Sequence, residues 1–247
     1  MKISNIILAV LIGGLGLSMI VDIATSQKDG VAIEGVTLSG KRATRSYDAI
    51  ALKHLNIEGP IKVILSAGIP KLTIEADEGL LDELMDKDTD PERLSIELPH
   101  NTNGTGGVTV SLSTPTLETI TLSGSGSIVS TESLPYKSNV IRFEGSPSAD
   151  LTYSDADLIK FSGSGGTNAT LKGKTKRFEA AMSGGNEIIA DELFAQVVDI
   201  SGSGSTEALV HADSILNFSA AGSSSLRYTG TPKVSFSSSG SGRLEAI

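Results

Sequence analysis

The chain has 247 residues, 29 acidic against 20 basic, a formal charge of −9 and a pI near 4.9. That balance argues against nucleic-acid binding and against attraction to anionic membranes. There is no cysteine and no tryptophan, and aromatics make up 4%, which excludes disulfides, thiolate metal sites, a cysteine nucleophile and a lipidated cysteine, and leaves core burial to aliphatic stacking.

The first element is Met1-Lys2-Ile3-Ser4-Asn5, a basic end, followed by the mostly apolar run Ile6–Val21. This pattern reads as a secretory signal or a short uncleaved anchor, the chain's only route to a membrane. Asp22-Ile23-Ala24 is a poor cleavage site, because Asp stands where a small residue is expected. Residues 1–27 are therefore assigned to export, 28–44 to a linker and 45–247 to a single domain in the periplasm, cell envelope or surface. Within that domain, residues 45–116 carry irregular strand signals at Ile61–Leu65, Leu72–Ala76, Leu94–Leu98 and Val108–Leu112. A short helix is expected over Gly79–Met85, with loops at Asp86–Arg93 and Asn101–Gly107. This half is expected to close the N-terminal end of the domain.

The remainder of the domain is a repeat. Ser-Gly-Ser-Gly begins at Ser123, Ser162 and Ser201, 39 residues apart each time, with degenerate copies at Glu144, Ser183, Ser219 and Ser237. The seven starts are spaced 21, 18, 21, 18, 18 and 18. The residue before each start is Leu122, Phe143, Phe161, Met182, Ile200, Phe218 or Phe236. Two further back stands Ile120, Ile141, Ile159, Ala180, Val198, Leu216 or Val234. All are apolar, and the residue between them is mostly polar, which is the period-two signature of a strand with one buried face. A second short strand comes after the glycines, with inward pairs such as Leu151/Tyr153, Ala169/Leu171 and Ala208/Val210. A unit of this length is too short for a propeller blade and lacks a helical period. It suits one coil of an all-β, right-handed parallel β-helix or β-solenoid, with about seven regular coils of 18–21 residues stacked ~4.8 Å apart. On this alignment the corners fall at Gly124, Gly145, Gly163, Gly184 and Gly202.

Several stretches in order resemble a bacterial family named for a head GIN domain and described as a putative auto-transporter adhesin. They begin at Arg45-Ser46-Tyr47-Asp48-Ala49-Ile50 and run through Ile61-Lys62-Val63, Leu72-Thr73-Ile74-Glu75-Ala76-Asp77, Leu80-Leu81 and Leu94-Ser95-Ile96. Pro115-Thr116-Leu117-Glu118-Thr119-Ile120 then leads into Leu122-Ser123-Gly124-Ser125-Gly126. The resemblance covers residues 45–247 and implies a parallel β-helix-like fold in an exported bacterial protein. It brings no catalytic residues. The last two copies depart from it, with Ala220 and Ser238 where glycine is expected.

Reactive chemistry is poorly represented. His54, His100 and His211 do not cluster in sequence, and no metal site is expected from them. The serines lack the Gly-x-Ser-x-Gly elbow and precede strands rather than helices. The glycines lack the helix N-terminus, or the Lys and Ser/Thr, that phosphate binding needs. The Asp of calcium-binding nonapeptide coils is missing. Carboxylates from Glu118 through Asp199 fall at differing offsets from the motif, so no catalytic pair is expected. The expectation is a non-enzymatic, cofactor-free binding or structural module, adhesin-like, whose partner is an envelope protein, a surface or a glycan. Its binding face would be the outward residues Thr121, Arg142, Lys160, Asp199 and Asn217. The rival readings are a polysaccharide-active β-helix enzyme and a tethered envelope-stress sensor. The final coil, ending at Ala246-Ile247, carries no polar or helical cap in the sequence and is expected to self-associate or contact a partner.

Overall fold

A computed structural model describes residues 38–48, 52–81, 83–84, 90–98 and 107–247, together with the backbone of 20–22, 32–33 and 36–37. The apolar run Ile6–Val21 lies outside the described residues except for Ile20 and Val21, and His100 lies outside them as well. Among the described residues no helix is long and apolar enough to cross a membrane.

The chain folds as an all-β solenoid of about six turns. Two parallel ladders run its length. One holds His54–Glu58, Thr119–Gly124 and Ser138–Gly145, then the later parts of Ser148–Gly165, Asn168–Gly184, Glu187–Gly204 and Glu207–Gly222, and last Lys233–Gly240. The other holds Ile61–Ser66, Ser127–Ser130, the earlier parts of the same long strands, Ser225–Thr229 and Arg243–Ala246. Inward residues alternate with outward ones along both. Ile120, Leu122, Ile141, Phe143, Ile159 and Phe161 are buried, as are Ile128, Leu151, Leu171 and Ile188 across from them. No coil could bury these alone. Its neighbours above and below remove them from water, at roughly 1.5–3 kcal/mol for each fully buried aliphatic side chain.

The N-terminal half is stacked out of sequence order. Arg93–Glu97 and Val108–Ser113 form the outermost coil, and the earlier strands His54–Glu58 and Ile61–Ser66 lie between it and the first repeat coil. Beyond Val108–Ser113 the chain reverses. Lys71–Asp77 pairs with it antiparallel, Arg42–Tyr47 pairs antiparallel with Lys71–Asp77, and Ile20–Asp22 pairs antiparallel with Arg42–Tyr47. The expected helix at Gly79–Met85 is absent from the described part of that segment. Residues 78–81 and 83–84 form turns, with the Leu80 N–H donating to Asp77 O at 3.0 Å and the Leu84 N–H to Leu80 O at 3.1 Å. Leu80, Leu81 and Leu84 are buried in the core, so hydrophobic plugging, not helical periodicity, explains their spacing.

The corners also correct the sequence alignment. Positive φ occurs at Gly59, Gly124, Gly145, Gly165, Gly184, Gly204, Gly222 and Gly240, and from Gly124 onward these are 21, 20, 19, 20, 18 and 18 residues apart. Gly163 and Gly202 are not corners. They lie two residues before the true corners Gly165 and Gly204, in register with the inward side chains Phe143, Met182 and Ala220. At the true corners the coils touch through backbone. A Cβ on Gly165 would run into the carbonyl of Gly145, which already accepts the Gly166 N–H at 2.8 Å.

The displaced glycines make room for something the sequence did not suggest. Four residues after each inward position, another residue is buried in the core. Leu122 is followed by Gly126 and Phe143 by Pro147, but Gly163 by Thr167, Met182 by Asn186, Gly202 by Thr206 and Ala220 by Ser224. These last four are buried polar residues forming a ladder inside the rod. The Thr167 hydroxyl donates to Asn186 Oδ1 at 2.6 Å, the Asn186 amide to Ser183 O at 2.8 Å, and the Ser224 hydroxyl to Ala221 O at 3.2 Å. Such groups are tolerated in a core because they are bonded. A side chain on Gly163 would strike Thr167, Phe161 and Asn186.

Candidate polar face

The corrected register splits the five residues expected to form one outward row. Thr121 pairs with Arg142, and their column continues through Ser162, Ala181, Ser201, Ser219 and Ser237. Lys160, Asp199 and Asn217 belong to the next column, where Glu179 sits between Lys160 and Asp199. The face is therefore two neighbouring rows: one serine-rich, the other charged.

The charged row is continuously bonded across the coils. Lys160 Nζ lies 3.3 Å from Glu179 Oε2, and Arg177, two residues before Glu179 on the same strand, reaches Glu179 Oε1 at 2.7 Å and forms an ion pair with Asp199 Oδ2 on the next coil at 2.5 Å. The Asn217 amide completes the series by donating to Asp199 Oδ1 at 2.6 Å. Two cations and two carboxylates leave it without net charge. The row lines a shallow groove of about 460 Å³ edged by Ser201, Ser219, Ser235 and Ser237. Arg142 stands apart, exposed, and forms no ion pair among the described residues.

Glu179 and Asp199 are neighbours in one column, which makes them the carboxylate pair to weigh as acid and base. The Arg177 hydrogen bond holds the Glu179 carboxyl below the ordinary glutamate range, against a partial burial that pushes the other way, with Lys160 adding to the depression. A general acid working near neutrality needs the opposite shift. Asp157 is likewise lowered by Lys176, 2.6 Å away. His211 is held between the Thr229 hydroxyl at 2.8 Å from Nδ1 and Asp213 Oδ1 at 2.9 Å from Nε2, with its ring edge-on to Phe194. No group of three or more metal-ligating side chains forms among the described residues. Two buried phenols, Tyr136 and Tyr153, are pushed well above the usual tyrosine range by burial. The Tyr153 hydroxyl donates to Asn139 Oδ1 at 2.8 Å, and Asn139 donates onward to Leu117 O at 3.1 Å, so these groups serve the interior.

Sequence reasoning missed Arg177 and Glu179. Alignment on the tetrapeptide put Ala181 where Glu179 belongs, and the signal that could have found them was the run of opposite charges at Lys160, Glu179 and Asp199, one to a coil.

The family model described as "Putative auto-transporter adhesin, head GIN domain" matches residues 51–232. Among solved structures, a "putative adhesin" from Bacteroides fragilis superposes with a TM-score of 0.72 at 20% identity, over 85% of this chain and 98% of that one. A "putative adhesin" from Parabacteroides merdae gives 0.62 at 18% identity, over 84% and 97%. A "putative lipid binding protein" from Parabacteroides distasonis gives 0.67 at 19%, over 85% and 98%. These likenesses establish a shared fold. No curated protein matches.

Proposed function

Because the chain belongs to the family described as putative auto-transporter adhesin, head GIN domain, we propose that it is a non-enzymatic, exported envelope module that binds its partner along the polar face. The carrying observation is the bonded series Lys160, Glu179, Arg177, Asp199 and Asn217, set beside a row of serines. It presents fixed donors and acceptors on a surface without net charge. Such a surface fits a neutral, hydroxyl-rich partner, an envelope glycan above all, better than a strongly charged one. The groove offers no exposed aromatic ring for sugar stacking, so recognition rests on hydrogen bonds. Export is supported by the basic end and apolar run at the start of the chain and by the adhesin description of the family.

The test is solid-phase binding of the chain to a panel of neutral and acidic envelope polysaccharides, alongside the double variant R142Q/K160Q. Binding to a neutral glycan that weakens in the variant, with the far-UV circular dichroism unchanged, is the expected result. Equal binding by both forms would remove this face from consideration. The same panel is assayed for new reducing ends and for unsaturated uronate absorbance. Release of either would overturn the non-enzymatic reading.

A further inference from the structure

The outermost described coil at the C-terminal end is paired on one side only. Lys233–Gly240 is hydrogen-bonded to Glu207–Gly222, and Arg243–Ala246 to Ser225–Thr229. Its inward side chains are half covered: Val234 is 37% and Phe236 42% exposed, whereas Leu216 and Phe218, one coil inward, are at 0% and 3%. Phe236 stacks on Phe218 with centroids 5.4 Å apart, and its other face is open.

The direction of the free backbone groups can be read from the ladder. The Arg243 N–H donates to Ser224 O at 3.0 Å and the Ile247 N–H to Tyr228 O at 2.9 Å. In a parallel pair, alternate residues turn both backbone groups toward the same neighbour. Arg243, Glu245 and Ile247 therefore bond back into the rod, and Leu244 and Ala246 present their N–H and C=O at its end.

A second copy meets these groups in register. Turned about a two-fold axis at Leu244, an antiparallel copy of Arg243–Ala246 sets Leu244 against the partner's Leu244 as a hydrogen-bonded pair and brings Ala246 opposite the partner's Gly242, whose N–H is already given to Ser238 Oγ at 3.2 Å within its own chain. Between them Arg243 faces the partner's Glu245 at a non-hydrogen-bonded position, where side chains approach most closely. Within one chain Arg243 Nη2 already lies 3.0 Å from Glu245 Oε2. Each arginine would thus lie between two carboxylates, and the two-fold supplies the contact twice. An axis at Arg243 or at Glu245 would instead oppose like charges.

We infer that the chain forms a tail-to-tail, two-fold dimer through the coil Lys233–Ala246, with Arg243–Ala246 adding antiparallel to its copy and Val234 and Phe236 becoming covered. The contact is one coil in cross-section, which puts it among interfaces below ~1,200 Å² in total and makes the association reversible.

Sedimentation velocity of the full 247-residue chain over ~1–100 μM, the range in which so small an interface should titrate, gives a concentration-dependent dimer. Arg243→Glu and Glu245→Arg each place like charges opposite one another at both symmetric positions and raise the dissociation constant roughly tenfold or more. Mixing the two variants restores opposite charges in the mixed pair, so association returns in the mixture although each variant alone has lost it. A folding defect would not be cured by mixing. The inference is overturned by a wild-type monomer throughout the range, by association that both variants leave unchanged, or by association that mixing fails to recover.

Discussion

At the N-terminal end of the rod the last parallel strand, Val108–Ser113, is covered by Lys71–Asp77 running antiparallel, while at the other end Lys233–Gly240 and Arg243–Ala246 have no strand beyond them among the described residues. The closed end also gathers Leu80, Leu81 and Leu84 into the core, whereas the open end leaves Val234 and Phe236 half exposed. The closed end is secured by Asp77, a buried carboxylate that accepts the Ser39 N–H at 2.9 Å, the Gly40 N–H at 2.8 Å and the Gly79 N–H at 2.9 Å. The contrast shows what ends a stack of like units. Each repeat presents the same edge that it covers, so closure needs a segment that breaks the repeat, here a strand of opposite direction drawn from sequence outside it.

The comparison is tested most strongly by removing one aromatic from the same inward column in the interior and at the open end. Phe161 is fully buried, edge-on to Phe143 at 5.5 Å, and Phe236 occupies the matching position in the last coil. Phe161→Ala is expected to cost ~3–5 kcal/mol in urea unfolding of the monomer and Phe236→Ala at most about half of that, because the exposed site leaves little cavity. Equal losses would mean that the open end is as tightly packed as the interior. At the closed end, Asp77→Ala leaves three half-buried N–H groups without their acceptor and is expected to cost ~1–3 kcal/mol. Hydrogen exchange should then quicken across Arg42–Tyr47 before it does in the repeat coils.

A finer test exchanges space instead of removing it. A methyl on Gly202 would collide with Thr206 and Ser224, and one on Gly242 with Ser238 and Ala220. The obstacles are alike in distance, yet at Gly242 one of them, Ser238, is exposed in the open coil and able to turn away, while Ala220 is buried one coil inward and stays in place. Gly202→Ala is expected to cost ~1–3 kcal/mol and Gly242→Ala less, its remaining cost set by the Ala220 Cβ. Calorimetric melting of both variants, with Thr206→Ala combined with the first to restore room, checks the assignment.

The same glycines mark the limit of what the sequence disclosed. Period-two alternation around Ile120, Ile141 and Ile159 was enough for the solenoid, because in-out patterning records burial directly. The tetrapeptide did not carry register. Ser162-Gly163-Ser164-Gly165 copies the letters of Ser123-Gly124-Ser125-Gly126 but sits two residues earlier against its corner, since an inward glycine clears space for Thr167. Identical letters served two different needs, and only the volume across the core distinguishes them. The crossed order of the early coils was hidden for a related reason: nothing in Leu94-Ser95-Ile96 states that it pairs beyond His54–Glu58. The polar face was half legible. Lys160, Asp199 and Asn217 alternate visibly with apolar neighbours, while Glu179 and Arg177 came into view only once the coils were set against each other.

The smallest expected effect lies midway between the ends, at Glu179, where neither closure nor exposure of the last coil should matter. Its carboxyl is held below the ordinary range chiefly by the Arg177 hydrogen bond, so it contributes stability above the unfolded-state pKa, about 4.3, and loses it as the pH falls through the lower folded value. The side chain is 31% exposed and solvent screens the pair, which limits Glu179→Gln to no more than ~1 kcal/mol near neutrality. Wild type and variant should therefore converge as the pH is lowered below about 4, because protonation removes from the wild type what the substitution removes from the variant. Melting curves between neutral pH and about pH 3 track that convergence across the range in which the carboxylate protonates. A gap that stays constant down to the lowest pH would show that the ladder is held by packing and not by its charges.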